Sequence, residues 1–499
     1  MYIFIFIALL LSTIWWFYRA NNNQRQLPAT LAFFGSCFAY TFTLFVTAHN
    51  SIYSYILLLP RDIAALIIVG LIANNLKSSK AFFLMACGVG ASVFYAYTYL
   101  PSLLFNQKKN IDAKGELLVE VRNKANITNL QKELSRWNAT LKPSFESVND
   151  TESTKLDEYF TVDVPENANI EELINHLNKN NDVLNVEYNE TYQLNLPQNT
   201  SEIKTFSSSS FNDPKIAEQW AFNALKLNEL SAFLKDNKIK PKKKIKIAIL
   251  DTGVDATHED LKDNYTSTKS SYDKDKQTHG THCAGIAAAV SNNKIGIASL
   301  SPDKSWITIT SIKVLSDAGW GTQESIIKGI IEAADKGADV ISMSLGGPSD
   351  DVRQKVYNEA IRYAQRKGAI IVVAAGNENQ SAKNAIPASC EGVIVVSATD
   401  YENNKASFSN TINEVKMGIA APGENILSTL PNQKYGSYSG TSMATPYVAG
   451  LIGLMKAINP KLTTEKVYTI LKTTGQDTKN TTQTGKLIYP VKAIQALLK

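Results

Sequence analysis

KKKIKIAILDTGVD (242–255) reads as a lysine cluster, an apolar run and a turn. The run at 245–250 has the length and the isoleucine content of a buried strand, and Thr252-Gly253 is where such a strand ends. Asp251 then falls at the strand's carboxyl end, where open α/β sheets place their ligand crevices. Taken alone, Asp-Thr-Gly is also an ordinary turn. Further apolar runs at 307–314, 339–344, 369–374 and 392–397 alternate with helical stretches at 281–290, 323–336, 351–367 and 442–457. That alternation predicts βαβ units, hence an α/β domain with a doubly wound, mostly parallel sheet covered on both faces.

Other segments put reactive side chains at the ends of such elements. HGTHCAGIAAA (279–289) is small and apolar after its first turn, a buried helix with His279 near its start. His282 stands three residues on; an i,i+3 pair is also a weak metal signal, but no third ligand is close in sequence. GTSMATPYVAGLIGLM (440–455) puts Ser442 at the amino end of another buried helix, where free backbone N–H groups and the dipole favour an anion. By itself that serine reads equally as a helix cap. AIIVVAAGNENQ (369–380) is a buried strand ending in Asn377, a neutral amide donor. Carboxylate, imidazole and hydroxyl are the parts that activate a serine: the imidazole takes the hydroxyl proton and the acid fixes its tautomer.

Asp251, His279 and Ser442, in that order and in these three motifs, resemble the subtilisin-like serine proteases (subtilases) over residues 213–499. The resemblance implies a subtilisin-like fold and a serine endopeptidase working through an acyl-enzyme. It implies that His279 is the general base, that His282 is a packing residue, and that Asn377 joins the Ser442 N–H in holding the oxyanion. It also makes VISMSLGG (340–347) and SDAGWGT (316–322) the two edges that grip an extended peptide. Ser344, Leu345, Gly346 and Gly347 would line one side, Gly319, Trp320 and Gly321 the other, with Ala385 near the floor of the primary pocket. Glycines permit close backbone approach, and strand addition gives affinity with little sequence preference. Trp320 is expected to line an apolar subsite or simply to cover a loop. Cys283, one helical turn after His279, is implied to make the site sensitive to bulky mercurials, or is core packing.

The resemblance further implies structural calcium. Asp260 in His258-Glu259-Asp260, Asn293 in SNNKIGI (291–297) and Asp213 in FNDPK (211–215) are the candidate ligands. A hard cation takes oxygen ligands of this mixed kind, and two solvated loops without an ion are the alternative.

Residues 1–106 are dominated by apolar stretches at 2–18, 29–48, 52–74 and 81–105. A bilayer crossing needs about 20 apolar residues, and a cleaved signal peptide would give one such stretch, so about four transmembrane helices are expected. Arg19, Arg25, Lys77 and Lys80 fall in the first and third connections, whereas 48–51 carries no Lys or Arg. Positive charges stay inside, so the carboxyl-terminal domain is expected on the extracytoplasmic side; Lys108 and Lys109 pull the other way.

Residues 107–195 show a strand–helix–strand–helix–strand pattern at 115–122, 127–137, 157–164, 169–179 and 183–189. This resembles the small α+β, ferredoxin-like propeptide of subtilases, which implies an inhibitory and folding-assisting domain as an internal partner. A generic linker or sensor domain fits the pattern too. The polar, Ser-rich stretch 196–212 reads as a flexible linker and processing region, with self-cleavage expected between about Leu196 and Asp213.

The bounding numbers agree with a multidomain protease. A chain of 499 residues suits two or three domains, and a net charge of +5 with scattered lysines gives no nucleic-acid signal. The four cysteines suggest no disulfide framework. The expected partners are a peptide or protein substrate, the propeptide-like domain and membrane lipid. The competing classes are a peptide-binding pseudoenzyme and a membrane sensor or signalling protein whose subtilase domain binds or processes a specific peptide.

Overall fold

The computed structural model describes residues 117–122, 124–145, 154–165, 168–194 and 211–499. The expected membrane region and most of the expected linker lie outside them, as do Cys37 and Cys87. Among the described residues no helix is long and apolar enough to cross a membrane.

Alternating side chains build the first sheet. It contains β1 (Leu117–Val121), β2 (Thr140–Pro143), β3 (Tyr159–Asp163) and β4 (Val183–Tyr188), with α1 (Ile127–Leu134) after β1 and α2 (Ile170–Leu177) after β3. The order is β2-β3-β1-β4, every pair antiparallel, which is the ferredoxin-like arrangement. Leu117, Val119 and Val121 meet Leu130, Leu134, Leu173 and Leu177 of the helices. Their neighbours Leu118 and Glu120 point the other way: Leu118 joins the core of the larger domain, and Glu120 pairs with Lys355 of that domain at 2.6 Å. Thus one face carries the small domain's own core and the other docks. The short β2, at the sheet edge, is the strand that the sequence pattern did not reveal. A further short strand, β5 (Thr191–Gln193), leads away from this sheet.

In the larger domain, α3 (Leu227–Asp236) precedes β6 (Ile245–Asp251), α4 (His279–Ala288), β7 (Ile307–Lys313) and β8 (Trp320–Thr322). Then follow α5 (Gln323–Asp335), β9 (Val340–Met343), β10 (Gly347–Pro348), α6 (Asp351–Arg366), β11 (Ile370–Ala374), β12 (Ala385–Ile386), β13 (Val393–Thr399) and β14 (Gly418–Pro422). A hairpin of β15 (Ile426–Leu430) and β16 (Lys434–Tyr438) leads into α7 (Thr441–Ile458). The main sheet runs β14-β13-β11-β9-β6-β7 and is parallel throughout. Its sixth strand, β14, was not anticipated; GIAAP (418–422) is too small and too short to announce itself.

Side-chain alternation splits the core into two layers. Ile245, Ile247 and Ile249 face α4 and α7, while Ala248 and Leu250 face α5 and α6. α7 is buried along its whole length, which a helix apolar on every side requires. Strand order reverses beside β6, so the crevice opens at the carboxyl ends of β6, β9 and β11. Asp251, Ser344 and Asn377 stand there.

Candidate active site

The carboxyl end of β6 delivers Asp251, fully buried. His279 opens α4 with its Nδ1 at 2.8 and 2.9 Å from the two Asp251 carboxylate oxygens. Contact this close needs the helix to sit on the strand end. Gly280 permits it: a Cβ there would lie 2.1 Å from the Gly253 carbonyl oxygen. Burial by itself would push the imidazole down, but the Asp251 carboxylate against Nδ1 outweighs it and holds His279 above the ordinary value of 6.5. The opposite ring nitrogen, Nε2, is buried and has no hydrogen-bond partner within the described residues. It is the atom a general base would use.

The loop before His279 is held by Asp275, which the sequence reading did not single out. Its carboxylate takes five donors: Thr252 Oγ1, Gln277 N, Thr278 N, Thr281 N and Thr281 Oγ1, all within 3.0 Å. Thr278 is forced to φ +92°, a region costly for a β-branched residue, immediately before the histidine. A buried aspartate four residues before His279 was the only sequence signal available, and DKDKQ hides it among exposed charges.

Ser442 is the second residue of α7. Its Oγ donates to the Ser344 carbonyl at 3.1 Å, and Ser344 Oγ donates back to the Ser442 carbonyl at 2.8 Å. That carbonyl is available because Pro446, four residues on, has no N–H to claim it. Thr441 N and Oγ1 each donate to Asn377 Oδ1 at 2.9 Å, so the amide is turned with Nδ2 as its donor end. Asn377 and Ser442 line one cavity together with Ser344, Leu345, Gly346, Gly347 and Ala385. The remaining expected cleft residues, Gly319, Trp320 and Gly321, are not part of that cavity wall; they stand on or beside β8, which forms the facing edge.

That edge is already paired. β5 lies antiparallel to β8, with Tyr192 opposite Gly321 and Gln193 opposite Trp320, and Leu194 N donates to the Gly319 carbonyl at 3.1 Å. The tail of the small domain thus occupies the strand position beside the cavity.

His282 is buried, stacked on Tyr438 with ring centroids 4.5 Å apart, and its Nε2 lies 3.0 Å from the Gly436 carbonyl oxygen. Burial pushes it down to about 3, with the neighbouring His279 adding to the effect, so it stays neutral. Cys283 Sγ is 3.9 Å from His279 Nδ1, and burial raises the thiol. Asp251, His279 and Cys283 therefore form a tight cluster of metal-ligand types. Nδ1 is already committed to the carboxylate and the sulfur is kept protonated, which favours a packed thiol over a metal centre.

Asp260 and Asn293 are brought together, with Asn293 Nδ2 donating to Asp260 at 2.8 Å and Ile297 N donating to its other oxygen at 2.8 Å. Burial pushes Asp260 up to about 7, and neighbouring Asp213 adds to this. No Lys or Arg pairs with either carboxylate among the described residues. The donor types are those a hard cation takes, but here Asn293 turns its N–H to Asp260 and its oxygen accepts from Ile295 N at 2.7 Å, so an ion would have to displace these hydrogen bonds. Asp213 spends its oxygens on the Asn292 and Asn293 N–H groups at 2.9 and 3.3 Å.

Comparison with known proteins matches residues 242–487 to the subtilase family. Thermitase of Thermoactinomyces vulgaris is 47% identical over 215 residues, 42% of this chain and 74% of that protein. Subtilisin DY of Bacillus licheniformis is 39% identical over 256 residues, 50% of this chain and 90% of that protein. Among solved structures, a protease from Pseudoalteromonas arctica PAMC 21717 superposes with a TM-score of 0.50 at 29% identity, covering 58% of this chain and all of that one.

Proposed function

The chain belongs to the subtilase family, and on that premise we propose that it hydrolyses peptide bonds with Ser442 as nucleophile, His279 as general base and Asp251 as its orienting acid. The observation that carries this is the buried Asp251–His279 pair with its unengaged Nε2, linked to a serine at a helix amino end through Cys283, whose Sγ lies 3.9 Å from His279 Nδ1 and 3.5 Å from the Ser442 carbonyl oxygen. Ser442 Oγ would leave the Ser344 carbonyl, pass its proton to His279 Nε2 and attack the substrate carbonyl. Asn377 Nδ2 and the Ser442 N–H would receive the oxyanion, which gains most from fixed donors in a dry site. His279 would then give the proton to the departing amine, and water would release the acyl group by the same route in reverse.

The rest of the reading concerns control. Residues 107–195 act as an inhibitory propeptide, 196–212 contain the self-cleavage site, and 1–106 tether the chain with the catalytic domain on the extracytoplasmic side. The pairing of Thr191–Gln193 with the cleft edge supports the inhibitory role. Four long apolar stretches in sequence support the tether. Calcium, held by Asp260 and Asn293 with Asp213 behind them, would tie two loops together and take no part in the reaction.

The test is the full chain with Ser442→Ala. Wild type yields a shortened, active species that digests an unfolded protein substrate. The variant remains one uncut chain and digests nothing. Normal processing and digestion by the variant would refute the assignment of Ser442.

A further inference from the structure

The end of the parallel sheet opposite the crevice carries a dense positive face. KDNKIKPKKKIK (235–246) holds seven lysines and one acid in twelve residues, with no arginine and no aromatic ring. Lys238, Lys240, Lys242 and Lys244 are exposed. Among the described residues only Lys243 of this run is in an ion pair, with Asp339 at 2.5 Å. Backbone contacts fix the run in place: Lys242 N and Lys243 N donate to the Ala457 carbonyl in the last turn of α7, at 2.7 and 3.3 Å. Lys246 Nζ donates to the Lys336 carbonyl just after α5, and Lys456 Nζ to the Gly368 carbonyl just after α6, each at 2.7 Å. These two ammonium groups answer helix carboxyl ends, whose dipoles favour them; the exposed lysines are in excess of that need. Two residues past Ala457 opens a cavity of about 320 Å³, lined by Lys461, Lys466 and Lys499 and by Leu462, Ile470 and Leu497. Leu498, the next residue, is 48% exposed.

We propose that this face docks on a bilayer rich in anionic headgroups and holds the catalytic domain at the membrane after cleavage frees it from residues 1–106. The inference rests on the processing reading and adds where the released enzyme goes. Lysine ammonium groups are point charges that suit a diffuse negative surface. Nucleic acid calls instead for arginine forks and stacking rings, which the run lacks. Apolar side chains ringed by lysines, with Leu498 open to solvent beside them, are the combination that interfacial binding uses. The four apolar stretches of the same chain bring the uncut protein to such a surface. Orientation follows from the fold. β6 is seven residues long, about 23 Å at the usual rise, with the lysines at one end and Asp251 at the other. A domain docked by its lysines therefore turns the crevice to the aqueous side, open to proteins in solution.

The experiment uses the catalytic domain as released from the full chain by cleavage within 196–212. It is sedimented with vesicles of phosphatidylcholine alone and with vesicles of equal parts phosphatidylcholine and phosphatidylglycerol. Binding is expected only to the anionic vesicles and is lost at 1 M salt, where screening acts within about 3 Å. Lys240→Gln, Lys242→Gln and Lys244→Gln together should weaken it by about a hundredfold, with kcat/KM on a short soluble peptide unchanged. Lys461→Gln with Lys466→Gln, an independent pair at the cavity, should weaken it by about tenfold. Equal binding to both vesicles, binding to neither, or binding untouched by both sets of variants overturns the proposal, as does tighter binding to double-stranded DNA. Peptide hydrolysis by the same preparation leaves the protease reading intact in each of those cases. A domain that binds the anionic vesicles yet cleaves no peptide overturns the protease reading alone. A wild-type chain that never releases the domain overturns the processing reading and this inference with it.

Discussion

Two faces of this protein bury carboxylates, and they treat them differently. At the carboxyl end of the parallel sheet, Asp251 and Asp275 are wrapped in donors from backbone, hydroxyl and imidazole. On the docking face of the small domain, Glu120 has Lys355, but Glu187 on the next strand is buried with neither oxygen hydrogen-bonded among the described residues. Around it stand Gln323 at the start of α5, Arg353 already paired with Glu190, and the acids Asp350 and Glu120. A saturated carboxylate fixes geometry; an unsatisfied one at an interface is a standing cost that separation relieves. The crevice end is held by saturated carboxylates, whereas the docking face carries a cost that separation would remove.

That contrast can be broken at several points, beginning with the catalytic end. Asp251→Asn should lower kcat by about four orders of magnitude, because the imidazole loses the partner that fixes its tautomer. Its melting temperature should change little beside that loss; steady-state kinetics and calorimetry on one preparation check both. Asn377→Ala should cost about two to three orders in kcat with KM nearly unchanged, since the donor matters mainly once the oxyanion forms.

The docking face gives the next effect. Burial lifts Glu187 to about 7 from its ordinary 4.5, so the docked state binds more protons than the separated one. Docking should therefore be strongest below about 4.5, weaken as pH rises, and carry the full penalty above about 7. In the uncut Ser442→Ala chain, protease susceptibility of the small domain should rise over that window, by on the order of a hundredfold in the docking equilibrium. Glu187→Gln should flatten the dependence; an unchanged slope would locate it elsewhere. Smallest is the metal effect: calcium chelation should lower the melting temperature by a few degrees without changing kcat, through loss of the ion-bound state.

Much of the catalytic domain was legible because its signals are local. A run such as IIVVA (370–374), buried on both faces, announces a parallel strand, and motifs placed at strand and helix ends announce the crevice. What escaped reading depends on distant pairing. β2 and β14 are short strands whose pairing partners define them, Asp275 hides in a charged loop, and Glu187 is ordinary until the second domain covers it. The pairing of Thr191–Gln193 with β8 joins segments more than a hundred residues apart, which no periodicity can announce. Trp320 shows the converse: a motif can identify a cleft edge, yet the backbone pairing and not the indole is what the cavity's geometry uses.

The central claim is that Ser442 becomes nucleophilic through His279. Treating the mature enzyme with a serine-directed sulfonyl fluoride, then mapping the adduct by peptide mass spectrometry, tests it most directly. One adduct on Ser442, formed in step with loss of proteolysis and absent from a His279→Ala chain cut within 196–212 by added wild-type enzyme, is the predicted result. An adduct elsewhere, or full proteolysis after Ser442 is blocked, would contradict it.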